Sequence, residues 1–176
     1  LTSQIIMPIK NSQLYAEVEE KSRIDELTGL FNRRSFDEVM ASETSRYSRY
    51  GGMFSLIYLD LDSFKAFNDN YGHLAGDEML RQIGGVIRSA IRTSDQAFRY
   101  GGEEFAVLLP NTSIEPANRV AERIRKKISS IVIADYAPVT ASIGLACWPA
   151  NGKNVNEIIA AADAALYSVK HSGGNR

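Results

Sequence analysis

The chain has a single cysteine, almost no net charge and no long apolar run, and each shortage closes off a class of protein. Cys147 has no second thiol to pair with, so an internal disulfide framework is excluded. Its place in the apolar run from 141 to 148 marks a buried, reduced thiol and points to a cytosolic setting. Lys and Arg total 20 against 21 Asp and Glu, a formal charge of −1, so the basic stripe of a nucleic-acid-binding surface is absent and no nucleic-acid partner is expected. Any nucleotide must be held by a local site. No apolar stretch approaches the roughly twenty residues that cross a bilayer, and residues 1–9 lack the layout of a signal peptide. The chain starts at Leu1 rather than Met, so the expectation is a cytoplasmic piece of a longer protein, with upstream sensor parts and a membrane anchor left open.

What is present is enough for one domain with a core: of 176 residues, 44% are hydrophobic and 23% charged. Residues 13–24 carry Leu14 and Val18 at helical spacing among charged neighbours, which predicts an amphipathic lead-in helix over a linker of residues 1–24, ahead of a domain over 25–176. The segment Asp25-Glu26-Leu27-Thr28-Gly29-Leu30-Phe31-Asn32 combines a Thr-Gly turn with a polar residue able to cap the helix that Phe36, Val39 and Met40 announce. Residues 54–62 are too apolar for a half-exposed strand and predict a central one ending in Asp60 and Asp62. Residues 63–77, interrupted by Gly72 and Gly76, read as an irregular segment able to wrap a ligand. In it, Asn68 and Asp77 offer the donor and acceptor set that matches a guanine edge.

A helix follows from Asp77 to Arg92, with Gly84-Gly85 in its middle attributed to close packing on the sheet. Ser113 to Ser130 predicts another helix, 139–148 a strand, 131–134 a short edge strand, and 154–170 a closing helix. Between them, 97–100 and 103–109 read as strands joined by a two-residue Gly101-Gly102 turn of the primed type. That turn sets Glu103 and Glu104 side by side. Adjacent carboxylates repel unless a positive charge lies between them, and a divalent cation with oxygen ligands is the simplest compensation; a solvated acidic tip is the alternative.

Gly101-Gly102-Glu103-Glu104-Phe105, together with the Asp25–Arg34 segment and residues 63–77, resembles the signature set of the GGDEF family in its Glu-containing form. The resemblance runs from about Arg23 to the C-terminus and implies a diguanylate cyclase, which makes cyclic di-GMP from two GTP. It further implies Mg²⁺, with Mn²⁺ as an alternative, two ions per active site, held by Asp60, the Leu61 carbonyl and Glu103. Glu103 or Glu104 would handle the proton, and Lys65 would stabilise the phosphates. Asn68, His73 and Asp77 would bind the guanine end, Lys170 the β and γ phosphates, and Phe31 and Asn32 would lie near phosphate. Arg92 and Asp95 match an RxxD product-inhibition site that grips cyclic di-GMP, with Arg123 as its second arginine. One GTP per domain implies a homodimer for catalysis.

The chain departs from the family pattern at Gly174, where a second phosphate-binding Arg is usual, with Arg176 as a substitute. The runner-up is a catalytically weak module that senses cyclic di-GMP or GTP; a generic palm-type nucleotidyltransferase is a third reading. The expected fold class is α+β, a central, mostly antiparallel sheet of about five strands flanked by helices, similar to nucleotide cyclase and polymerase palm domains.

Overall fold

The structure, a computed structural model, describes residues 23–176. Helices α1 (Arg33–Tyr50), α2 (Phe64–Tyr71), α3 (His73–Ala90), α4 (Ile114–Ser129) and α5 (Val155–His171) surround strands β1 (Phe54–Leu61), β2 (Gln96–Arg99), β3 (Glu104–Pro110) and β4 (Ala141–Trp148). The sheet runs β2-β3-β1-β4 with every neighbouring pair antiparallel. β1 is buried along nearly its whole length because helices cover both faces, which is why it reads as a continuous apolar run.

Period-two alternation divides the core into two layers. Ile57, Leu59, Leu61, Phe105, Val107 and Leu109 pack under α3 and α4. Phe54, Leu56, Tyr58, Ala106, Leu108 and Trp148 pack under α1 and α5. Helix starts are set by local chemistry: Asn32 accepts Ser35 N at 3.0 Å ahead of α1, and Asn154 accepts Glu157 N at 3.0 Å ahead of α5.

Four expectations change. The sheet has four strands among the described residues, not about five, because 131–140 forms turns and coil instead of an edge strand. Residues 63–77 are helical, split into α2 and α3 by Gly72 at φ 86°, where only glycine is unstrained. The Gly-Gly connection is no primed two-residue turn: neither glycine has positive φ, and the loop runs from Tyr100 to Glu103. A Cβ at Gly101 would lie 2.4 Å from Glu104 Oε2, the far end of a side chain that would have to turn aside. Gly84 faces the Thr28 turn rather than the sheet. The lead-in helix lies outside the described residues except for Arg23 and Ile24, and Ile24 pairs with Phe31 as an isolated bridge.

A Cβ at Gly84 would meet Thr28 O at 2.6 Å, a backbone atom, whereas one at Gly85 meets nothing within 4 Å. Gly84→Ala is therefore expected to destabilise the domain by about 1–3 kcal/mol, and Gly85→Ala to stabilise it by about 0.5–1 kcal/mol. Urea unfolding of the two variants measures both signs.

Candidate active site

Register decides which side chains meet. On the α1/α5 face, the series Phe54, Leu56, Tyr58 along β1 reaches Asp60, and the series Leu108, Ala106 along β3 reaches Glu104. Asp60 and Glu104 stand directly opposite each other in the β1–β3 ladder. Like charges in that position repel. Glu103 sits one residue before β3, and its carbonyl accepts Leu61 N at 3.2 Å, which joins the two backbones at the sheet's end. Lys170, in the last turn of α5, brings Nζ to 2.5 Å from Asp60 Oδ1. That oxygen is buried and accepts no hydrogen bond of sound geometry, so the ion pair is its compensation.

Three carboxylates thus face one lysine. Burial, then the Asp60 charge, push Glu103 above its ordinary value of 4.5, with Lys170 opposing and Glu104 adding. Burial, then Asp60 and Asp163, push Glu104 up in the same way, against Lys170 and Arg33. Burial, then Glu104, hold the Tyr58 phenol far above its ordinary 10. Among the described residues no three His, Cys, Asp or Glu side chains converge to hold an ion by themselves. The donors are two or three carboxylates, one with an orphaned buried oxygen, and a backbone carbonyl. That set suits Mg²⁺, which keeps waters and takes phosphate oxygens to complete its octahedron.

The turn carrying Glu103 is tied down by residues to which the sequence reading assigned no role. Asp25 Oδ1 accepts Thr28 N at 2.9 Å and Thr28 Oγ1 at 2.7 Å, and both Asp25 oxygens lie 3.2 Å from Arg99 Nη1. Arg99 in turn donates from Nε and Nη2 to Gly102 O at 3.3 and 2.9 Å. Burial pushes the Asp25 carboxyl up, but the Thr28 bonds and the Arg99 guanidinium outweigh it and hold the group below 3.8. An Asp and an Arg flanking two separate glycine turns were the available signal.

The family model described as "Diguanylate cyclase, GGDEF domain" matches residues 22–176. The chain belongs to the GGDEF family. It is 40% identical over 167 residues to the diguanylate cyclase VdcA of Vibrio cholerae and 37% identical over 171 residues to the diguanylate cyclase DgcS of Shewanella oneidensis. Those matches cover 92% and 97% of this chain but 48% and 57% of the relatives, so the chain spans about half their length. The GGDEF domain of DgcB from Caulobacter crescentus, solved in complex with c-di-GMP, is similar at TM-score 0.82 and 34% identity over 88% of this chain and 90% of that one. SiaD of Pseudomonas aeruginosa, solved with its activator SiaC, is similar at TM-score 0.82 and 37% identity over 96% and 66%.

In this GGDEF domain the other expected residues fall into separate groups. Asn68 on α2 packs against the start of α3, the helix that carries Asp77: Asn68 Oδ1 is buried without a partner against Gly76, where a Cβ would lie 1.9 Å away. His73 opens α3 and is exposed. Lys65 is exposed in the first turn of α2, whose N-cap Ser63 makes no side-chain cap bond, leaving amides for an anion. Phe31 bridges Phe98 at the sheet's edge, and Asn32 caps α1.

Arg92 and Asp95 line a cavity of about 350 Å³, with Asp95 Oδ2 accepting Arg92 N at 2.9 Å. Arg123 is not on its wall; Nε and Nη2 both donate to Ala90 O, at 3.1 and 2.5 Å. Asp62 is a tether, accepting Thr140 Oγ1 at 2.7 Å and Ser142 Oγ at 2.6 Å. Gly174 sits against Asp62 and Ser142 at φ 71°, a conformation closed to Arg without strain. Arg176 O accepts Ile143 N at 2.8 Å, and its residue lines a groove with α4, β4 and α5 away from Asp60.

A carboxyl raised in the folded state binds its proton more tightly there, so the metal-free domain loses stability as pH climbs from 4.5 through the raised value of Glu104. Glu104→Gln is expected to raise the melting temperature of the EDTA-treated protein at pH 7 by a few degrees, about 2–4 °C for each kcal/mol, with no gain below pH 4.5. Thermal melts across pH check this, and a gain of equal size at low pH would refute it.

Proposed function

We propose that this domain is a diguanylate cyclase that joins two GTP into cyclic di-GMP with release of two pyrophosphates. The observation that carries the reading is the surplus of negative charge at the β1–β3 end, where three carboxylates share the one cation Lys170, Asp60 Oδ1 lacks a hydrogen bond and both neighbouring glutamates are raised. Asp60, the Leu61 carbonyl and Glu103 would hold Mg²⁺, or Mn²⁺, two ions per site. Bound there, the ions supply charge neutralisation on the phosphates and a lowered pKa for the attacking 3′-hydroxyl.

The chain's own groups do the rest. Glu103, with Glu104 as its alternate, accepts the proton from that hydroxyl; raised carboxyls are better matched to the task than ordinary ones. Lys65 and the first-turn amides of α2 hold the triphosphate and oppose charge developing on it. Lys170 turns from Asp60 to the β and γ groups when substrate arrives. Asn68 and Asp77 take the guanine edge, with His73 at the rim. Each domain supplies one GTP, so both bonds form only when two domains face each other as a homodimer. The product, cyclic di-GMP, binds back at Arg92 and Asp95, with Arg123 behind them, and inhibits. In the full-length protein an upstream sensor domain would set the pairing of the two domains.

A second reading, a catalytically weak module that senses cyclic di-GMP or GTP, is favoured by Gly174 in place of the usual Arg. Incubation with GTP and Mg²⁺ separates the two. The expected result is cyclic di-GMP and pyrophosphate in a 1:2 ratio, with Asp60→Asn slower by on the order of 10²-fold or more, the scale of losing one partner of transition-state charge. Binding of GTP without turnover would decide for the sensor.

A further inference from the structure

Arg88, in the last turn of α3, stands between the Arg92–Asp95 cavity and the Thr28 turn. It lines that cavity together with Arg92, Asp95, Leu30 and Phe31. Its Nη2 donates to Thr28 O at 3.0 Å, and the guanidinium lies so close over Gly29 that a Cβ there would be 2.6 Å from Nη2. Thr28 is the first link of the tie described above: Thr28 to Asp25, Asp25 to Arg99, Arg99 to Gly102 O, and Gly102 immediately precedes Glu103. No carboxylate lies within ion-pair distance of Arg88 among the described residues, so its charge is answered only by a neutral carbonyl.

We propose that Arg88 is a two-position switch: it holds Thr28 O while the cavity is empty and turns to a phosphodiester bound beside Arg92 and Asp95, so that occupancy is felt at the Gly102–Glu103 turn. The inference rests on reading that cavity as the product site. A phosphodiester offers charged oxygens in the plane of the guanidinium fork, and such bonds are roughly twice as strong as those to a neutral acceptor. A second position is therefore favoured as soon as the ligand is present. When Arg88 leaves, the Thr28 turn loses the contact that anchors it to α3, and Asp25 and Arg99 lose their fixed footing. Bound phosphates and the ordered turn then compete for the same guanidinium, and such coupling runs in both directions.

The test uses the full chain with Arg88→Met, Arg88→Lys and Arg92→Ala, with Arg88→Gln should the Met variant not fold. Affinity for cyclic di-GMP is measured by calorimetry with and without a non-hydrolysable GTP analogue and Mg²⁺, and GTP turnover is measured at zero and saturating cyclic di-GMP. In Arg88→Met we expect turnover below wild type, product binding weakened by roughly ten- to hundredfold but retained, and less than about twofold inhibition at saturation. The mutual effect of the two ligands, on the order of 5–150-fold in coupled systems, falls to near one, and Arg88→Lys restores part of it. A purely structural Arg88 would lower turnover yet leave the remainder inhibited by the wild-type fraction, which overturns the proposal. Loss of product binding as complete as in Arg92→Ala also overturns it. Wild-type protein that is not inhibited at all removes the product-site reading itself, and this inference with it.

Discussion

The repulsion between Asp60 and Glu104, held opposite each other by the β1–β3 ladder, is the constraint on which the rest of the site depends. Backbone hydrogen bonding fixes that register for reasons unrelated to charge: a slip of one residue would turn Leu59 and Phe105 out of their core layer. The burial of two apolar layers therefore holds in place an arrangement that electrostatics alone would disperse. The surplus is answered locally by Lys170 and by raised proton affinity on both glutamates. It leaves a site whose resting state is under-compensated and so receptive to a divalent ion and polyphosphate.

Precision in that site comes from outside it. Glu103 lies on a loop, and loops are mobile unless tied. The tie is the chain from Thr28 through Asp25 and Arg99 to Gly102 O, which binds the segment before α1 to the β2–β3 connection. The same segment lies along β2, with Phe31 bridged to Phe98, and so covers the free edge of that strand. One stretch of chain thus closes the sheet and steadies the turn that carries Glu103. Because Arg88 and Gly84 on α3 press on it from the opposite side, the segment also adjoins the cavity at Arg92 and Asp95.

Much of this was legible along the chain. The continuous apolar run of β1 announced a strand covered on both faces, and the helical spacing of apolar residues in α3, α4 and α5 announced amphipathic helices on a sheet. The carboxylates beside the glycine turn were visible as a charge problem, and the structure sets them against Asp60 and Lys170. The strand at 131–134 failed because a short β-branched run has no meaning without a neighbour to pair with, and none is there among the described residues. The irregular reading of 63–77 failed because Gly72 interrupts helical periodicity in the text while serving in space as a hinge between two helices. The role assigned to Arg176 ran into backbone geometry, since Gly174 turns the tail onto Asp62, Ser142 and β4.

By itself, then, the amino-acid sequence determined the α+β class, the two-faced core and the acidic turn, because these follow from periodicity and residue chemistry that local physics can read; membership of the GGDEF family rests instead on the likeness of its motifs to those of other chains. Only the tertiary structure decided that Lys170 answers Asp60, that Asp62 is a tether, that Arg123 caps α3 at Ala90, and that Asp25 and Arg99 steady Gly102. Those pairings join residues up to 113 positions apart, as Asp62 and Asn175 are. Spacing along a chain carries no information about such partners until the helices and strands are packed, because a side chain's partner is chosen by the surface it is pressed against.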